Sequence, residues 1–184
     1  MLSSAYGGVN MTDQHPGARL LYLREDELRL GLDLLFYVQR DLARDLEAVL
    51  TREGLGHAHH RALHFIGRQS DIPVGGLLAL LRITKQSLSR VLSELVKAGF
   101  VRQITGPIDR RQRLLALTAT GAALEAELFE CQRRRVQRAY SAAGPEAVTA
   151  FREVLERMAD SEEGRAGLSP AAPPSRNATR RTPR

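Results

Sequence analysis

Between Thr84 and Ser93 the side chains able to do polar chemistry fall on one side of a helical period. Lys85, Gln86, Ser89, Arg90 and Ser93 share a face, with the hydroxyls of Thr84 and Ser87 at its start. A glutamine amide pairs bidentately with an adenine edge and a guanidinium with guanine, while hydroxyls and a helix N-terminus hold phosphate oxygens. Further along, Asp109-Arg110-Arg111 falls between two short apolar runs, just after the turn signal Gly106-Pro107. Planar guanidiniums at a hairpin tip suit a phosphate or a narrow minor groove. Asp109 has no direct use for phosphate, so its expected role is to orient a neighbouring arginine through a bidentate pair. Each group alone has an ordinary reading: a solvated helix face in one case, a charged hairpin tip in the other. In this order they are what a chain needs to set a helix in a DNA major groove with a loop beside it.

The charge balance agrees. Residues 82–118 hold eight basic side chains against Glu94 and Asp109, and this excess equals the formal charge of +6 carried by all 184 residues. A basic balance favours a polyanionic partner without saying anything about fold.

The elements that must position these groups follow from apolar periodicity. Leu88, Val91, Leu92, Leu95 and Val96 form the core face of the helix, which Thr84 caps and Gly99 closes. Residues 100–105 and 113–117 pair as strands, the second with Leu115 and Leu117 alternating against Leu114 and Ala116. Upstream, Leu28, Leu32, Leu35, Leu42, Leu46 and Val49 predict one long helix over about 24–51, ended by Gly54 and Gly56. A helix over 57–68 buries Leu63, with Phe65 and Ile66 beside it, and a short one runs to Leu81 with Pro73 in its first turn. Thr118 caps a helix reaching about residue 142. Pro145 opens the last, with Val148, Phe151, Val154, Leu155 and Met158 on one face.

Residues 1–23 show no period and read as a flexible arm, and 161–184 as a disordered basic tail. The chain is long enough for one domain, at 24–160. A single cysteine excludes an internal disulfide framework, and neither a signal segment nor a membrane-length apolar run stands out. The expected compartment is the cytoplasm.

Two further groups invite chemistry. His57, His59, His60 and His64 lie close together, and His60 and His64 share a helix face at a spacing that can hold zinc. No cysteine and no evident acid completes a site, so capping and packing is the plainer role. His57, His60 and His64 remain weak candidates for a metal-responsive alternative. Cys131, followed by Arg133 to Arg135, invites redox sensing through a lowered thiol pKa, though a lone helical cysteine usually packs. Arg133, Arg134, Arg135 and Arg138 read as solvent-facing or interface residues. No Ser/His/Asp set, paired carboxylates or phosphate-cradling loop is present, so the expectation is no enzyme and no cofactor.

The stretches ITKQSLSRVLSELVKAGFV and DRRQRLLALTATG carry a resemblance. Residues 24–160 resemble the multiple antibiotic resistance regulator (MarR) family, whose signature is matched at Asp109, Arg110, Arg111, Leu117, Thr118 and Gly121. GHAHHRALHFIGR and LLRITKQSLSRVL resemble its PetP-like branch. The resemblance implies a mainly α winged helix-turn-helix with a β-hairpin wing, in a homodimer that binds double-stranded operator DNA. It implies dimerisation helices at 24–56 and 118–160 around a DNA-binding part at 57–117. Two-fold symmetry would place successive recognition helices about 34–36 Å apart on a pseudo-palindrome. A small-molecule effector bound between the two parts is the remaining expectation.

Overall fold

The computed structural model describes residues 18–159 except Ile108. Residues 1–17 of the arm expected at 1–23, and the tail at 161–184, lie outside the described residues. Residues Ala18–Leu23, expected in the arm, form a 3-10 helix. The chain divides into two compact units between Arg44 and Asp45.

The first unit carries α1 (Glu25–Arg44). Glu25, Asp26 and Glu27 in its first turn and Arg44 in its last complement the helix dipole. None of its residues is buried, and Leu28, Leu32 and Leu35 stand exposed along one stripe.

The single helix expected over 24–51 is interrupted. α1 stops at Arg44, Asp45 and Leu46 form a turn, and α2 (Glu47–Arg52) begins afresh. Two tertiary demands act at that joint. Arg135 grips both Asp45 carboxylate oxygens, from Nε at 2.6 Å and Nη2 at 2.8 Å, while Leu46, Val49 and Leu50 all enter the core. α2 ends as expected at Gly54, in the left-handed region at φ 66°. The Gly54 N–H donates to Thr51 and that of Leu55 to Leu50, closing a Schellman turn.

In the second unit α3 (His57–Arg68) buries Ala62, Leu63 and Ile66, leaving Phe65 half-buried. Pro73 is not in the first turn of the next helix. It is the N-cap of α4 (Val74–Leu81) and belongs with Ile72 to a two-residue strand, β1. Lacking an N–H, it suits a sheet edge. After Arg82, left-handed at φ 48°, α5 (Lys85–Lys97) starts under the Thr84 cap, whose Oγ1 accepts from the Ser87 N–H at 3.2 Å. Leu88, Val91, Leu92 and Leu95 are buried as expected, but Val96 is 38% exposed at the rim. Gly99 sits one residue beyond the cap, at φ 76°. Its N–H reaches Val96 and that of Phe100 reaches Leu95, a second Schellman turn.

β2 (Val101–Thr105) and β3 (Arg113–Leu117) form the expected hairpin, in register Val101↔Leu117 to Thr105↔Arg113. β1 adds to the far side of β3, pairing Ile72 with Leu115, so the antiparallel order is β1-β3-β2. As the central strand, β3 buries both Leu115 and Ala116 rather than alternating.

Thr118 then caps α6 (Ala119–Ala143). Gly144, at φ 83°, separates it from α7 (Pro145–Met158), with Pro145 in the first turn. The fully buried leucines Leu46, Leu63, Leu77, Leu88, Leu95, Leu115 and Leu128 come from the turn before α2, from α3 to α6 and from β3, which gather on one core. Phe151, Val154, Leu155 and Met158 on α7 are exposed. No described helix is long and apolar enough to cross a membrane.

Candidate nucleic-acid interface

α5 is held from beneath by its four buried residues, so its opposite face is free to project. Lys85, Gln86, Ser89 and Ser93 are exposed there, and their side chains make no hydrogen bond or ion pair among the described residues. Thr84 and Ser87 are more constrained than the sequence suggests, because their hydroxyls bond each other at 2.8 Å within the cap. Arg90 is also engaged. Its Nε donates to Glu94 Oε1 at 3.0 Å, although the side chain stays 82% exposed.

Glu94 belongs to a chain of contacts. His59 Nδ1 accepts from the Gly56 N–H at 3.0 Å, so the ring proton lies on Nε2, which faces Glu94 Oε2 at 2.6 Å. Arg90 and then His59, bonded to this carboxylate, hold the Glu94 pKa below the usual range. Neither His59 nor Glu94 was singled out by sequence as part of the site. They are 35 residues apart, and only the capping position of His59 hints at its place.

The wing tip is a tight turn. The Gln112 N–H donates to the Asp109 carbonyl and the Gly106 N–H to the Gln112 carbonyl, both at 3.0 Å. Among the described residues Asp109 does not pair with a guanidinium as expected. Its Oδ1 accepts the backbone N–H of Arg111 at 2.9 Å, the local bond aspartate makes when it opens a turn. The carboxylate therefore shapes the loop, and Arg110 and Arg111 project from it, exposed and without an acidic partner among the described residues.

Between α5 and the wing sheet lies an open groove of about 1150 Å³. Leu78, Leu88, Leu92, Val96 and Val101 line its floor, with Lys85, Lys97, Arg102 and Arg113 at its edges. Lys97, Arg102 and Arg113 entered the sequence reading only as charge.

The other candidates disperse. His57 faces Glu47 and His64 faces Glu125, each at 3.7 Å, while His60 stacks obliquely on His64. Burial, then His64 and His57, push the His60 pKa down to about 4. Among the described residues no three metal-ligating side chains converge, so His57, His60 and His64 do not form the metal site weighed for them. Cys131 is half-buried against the core. On α6, Arg133 and Arg134 both bond Glu130, holding its carboxyl down to about 2, and Arg135 binds Asp45.

A helix-turn-helix whose second helix projects polar side chains, followed by a cationic β-hairpin, defines a winged-helix DNA-binding protein. Residues 53–112 match the family model described as MarR family. The chain is 46% identical over 144 residues to the HTH-type transcriptional regulator PetP of Rhodobacter capsulatus, spanning 78% of this chain and 87% of the relative. It belongs to the MarR family of transcriptional regulators, with a PetP-like sequence, and is not an enzyme.

Solved structures agree on the fold. A MarR-family regulator from Silicibacter pomeroyi superposes with a TM-score of 0.61 at 26% identity, covering 70% of this chain and 90% of that one. A mutant MarR from E. coli, complexed with operator DNA, gives 0.57 at 24%, covering 75% and 97%.

Proposed function

We propose that two copies of this chain pair and read a pseudo-palindromic operator, one α5 entering each of two successive major grooves. Lys85, Gln86, Ser89, Arg90 and Ser93 face base edges. Thr84 and Ser87 at the helix N-terminus meet phosphate, and Arg110 and Arg111 reach the flanking backbone or minor groove from the wing. The observation that carries this reading is the unoccupied polar face of α5 beside two wing arginines with no acidic partner among the described residues. Lys97, Arg102 and Arg113 at the groove edges add phosphate contacts on the same side.

Support for pairing comes from the apolar faces left open on α1 and α7, with Leu28, Leu32 and Leu35 on one and Phe151, Val154, Leu155 and Met158 on the other. Exposed faces of that kind on a single chain call for a partner. In this reading 24–56 and 118–160 assemble the dimer, 57–117 bind DNA, and the protein works in the cytoplasm. A small-molecule effector that changes the separation of the two DNA-binding parts follows from family membership. It is tested by ligands that raise the melting temperature and alter operator affinity together.

Selection of bound duplexes from a random pool tests the main reading. The expected product is an inverted repeat with half-site centres about one helical turn apart. Recovery of duplexes with no shared sequence overturns it.

A further inference from the structure

Arg90 stands apart from the other outward residues of α5 because its guanidinium is held before any DNA arrives. Its Nε is bonded to Glu94 Oε1 at 3.0 Å, and Nη1 and Nη2, the end that pairs with a guanine O6 and N7, carry no partner among the described residues. Glu94 is fixed in turn. Its second oxygen receives the His59 Nε2 proton at 2.6 Å, and His59 is oriented by the Gly56 N–H on Nδ1 at 3.0 Å. The His59 side chain is only 12% exposed, so the anchor is packed while the guanidinium at the far end is open.

Every donor and acceptor in this chain has one assignment. The Gly56 N–H donates to Nδ1, Nε2–H donates to one carboxylate oxygen, and Arg90 Nε–H donates to the other. Backbone at the start of α3 thus reaches, through two side chains, a residue on the DNA-facing side of α5.

We propose that Glu94 and His59 are positioning residues for Arg90: they present its terminal nitrogens for base reading and set the discrimination at one base pair of each half-site. The inference rests on the DNA-docking reading above. A long flexible arginine ordered only on binding loses rotamer freedom at that moment. One already tethered through Nε loses less, and an arginine held at a fixed angle also rejects a wrong base more strongly. Neither positioning residue needs to touch DNA.

The test is a double-mutant cycle on the full chain, using the tightest duplex that the wild type selects from a random pool and its single base-pair variants. Arg90→Ala identifies the base pair at which discrimination is lost. Glu94→Ala is expected to reduce discrimination at that same base pair by about 2- to 10-fold, the range for ordering one long side chain, and to have no further effect in the Arg90→Ala background.

If Arg90→Ala leaves discrimination unchanged at every base pair, Arg90 reads no base, and the docking reading falls together with this proposal. If Arg90→Ala relaxes one base pair but Glu94→Ala leaves it intact, the docking reading stands and the positioning role is wrong. An equal loss of affinity from Glu94→Ala in both backgrounds, with a lowered Tm, shows a mere tie between α3 and α5 and also overturns the proposal. Should Glu94→Ala not fold, Glu94→Gln keeps an acceptor for Arg90 but turns a donor toward His59. It is then expected to lower discrimination at the same base pair, and wild-type discrimination refutes the role.

Discussion

Replacing Gly121 with alanine tests how the wing, the recognition helix and α6 are joined. Gly121 lies in the first turn of α6, where its N–H donates to the Thr118 cap at 3.0 Å. A methyl group built on its Cα would overlap the Phe100 carbonyl oxygen and lie 2.8 Å from the carbonyl carbon and 3.1 Å from its Cα. All of these are backbone atoms, so no side chain can swing aside. The same carbonyl accepts the Thr118 N–H at 3.0 Å, and the Phe100 N–H completes the Schellman turn that ends α5. Relief of the clash must therefore disturb the wing base and the end of α5 together. Alanine gains about 1 kcal/mol of helix propensity. Against it stand about 1–3 kcal/mol of overpacking and about 1 kcal/mol for the weakened hydrogen bond. The net expectation is a loss of about 1–3 kcal/mol, or roughly 2–4 °C of Tm for each kcal/mol in a chain of this size. Thermal melts followed by circular dichroism at matched protein concentration read it directly, with operator affinity measured alongside. A variant that melts at or above the wild-type temperature would refute the close-approach argument.

Arg90→Ala is expected to cost about 1–3 kcal/mol with relaxed preference at one base pair. Arg111→Ala weakens all duplexes evenly and lowers the salt dependence by about one unit of slope, measured by fluorescence anisotropy across salt concentrations. In the proposed dimer Leu32→Glu, on the open stripe of α1, removes about 3–6 kcal/mol of burial over two copies, so light scattering should find the variant monomeric and the wild type dimeric. His60 is neutral in the fold, with its pKa pushed down from about 6.5 to about 4. The unfolded chain binds the extra proton between those values, so this contribution is whole above about pH 6.5 and is lost as pH falls toward 4. His60→Gln should flatten that part of the stability profile in denaturant titrations, and an unchanged profile would contradict the assignment.

Local signals in the sequence reached the recognition helix and the wing because their causes are local. Thr84 as cap, the apolar period from Leu88 to Leu95 and the left-handed glycine after Ala98 all act within a few residues. The interruption at Asp45 escaped that reading because Arg135, 90 residues away, helps to cause it. The strand Ile72–Pro73 escaped because two residues have no period, and only pairing with Leu114 and Leu115 makes them a strand. Asp109 was placed correctly but assigned the wrong partner, since a backbone N–H two residues on lies nearer than any guanidinium. In sequence His59 reads as one of four clustered histidines and Glu94 as an acid on a basic helix; only the packing of α3 against α5 joins them to Arg90.

Phe100 ties the end of α5 through its N–H and the cap of α6 through its carbonyl, and α6 departs from that point as a rod of 25 residues. At about 1.5 Å per residue it is roughly 37 Å long. The Thr118 hydroxyl, donating to the Gly99 carbonyl at 2.6 Å, fastens the rod to the last turn of α5, so helix and wing travel with it. Pivoted at its far end, such a lever converts a tilt of about 5° into a displacement of roughly 3 Å at the reading end, close to the rise of about 3.4 Å for one base pair. In the docking proposed above, a few degrees at one end of α6 are thus enough to put α5 out of step with its half-site, with no change in the shape of the DNA-binding surface itself.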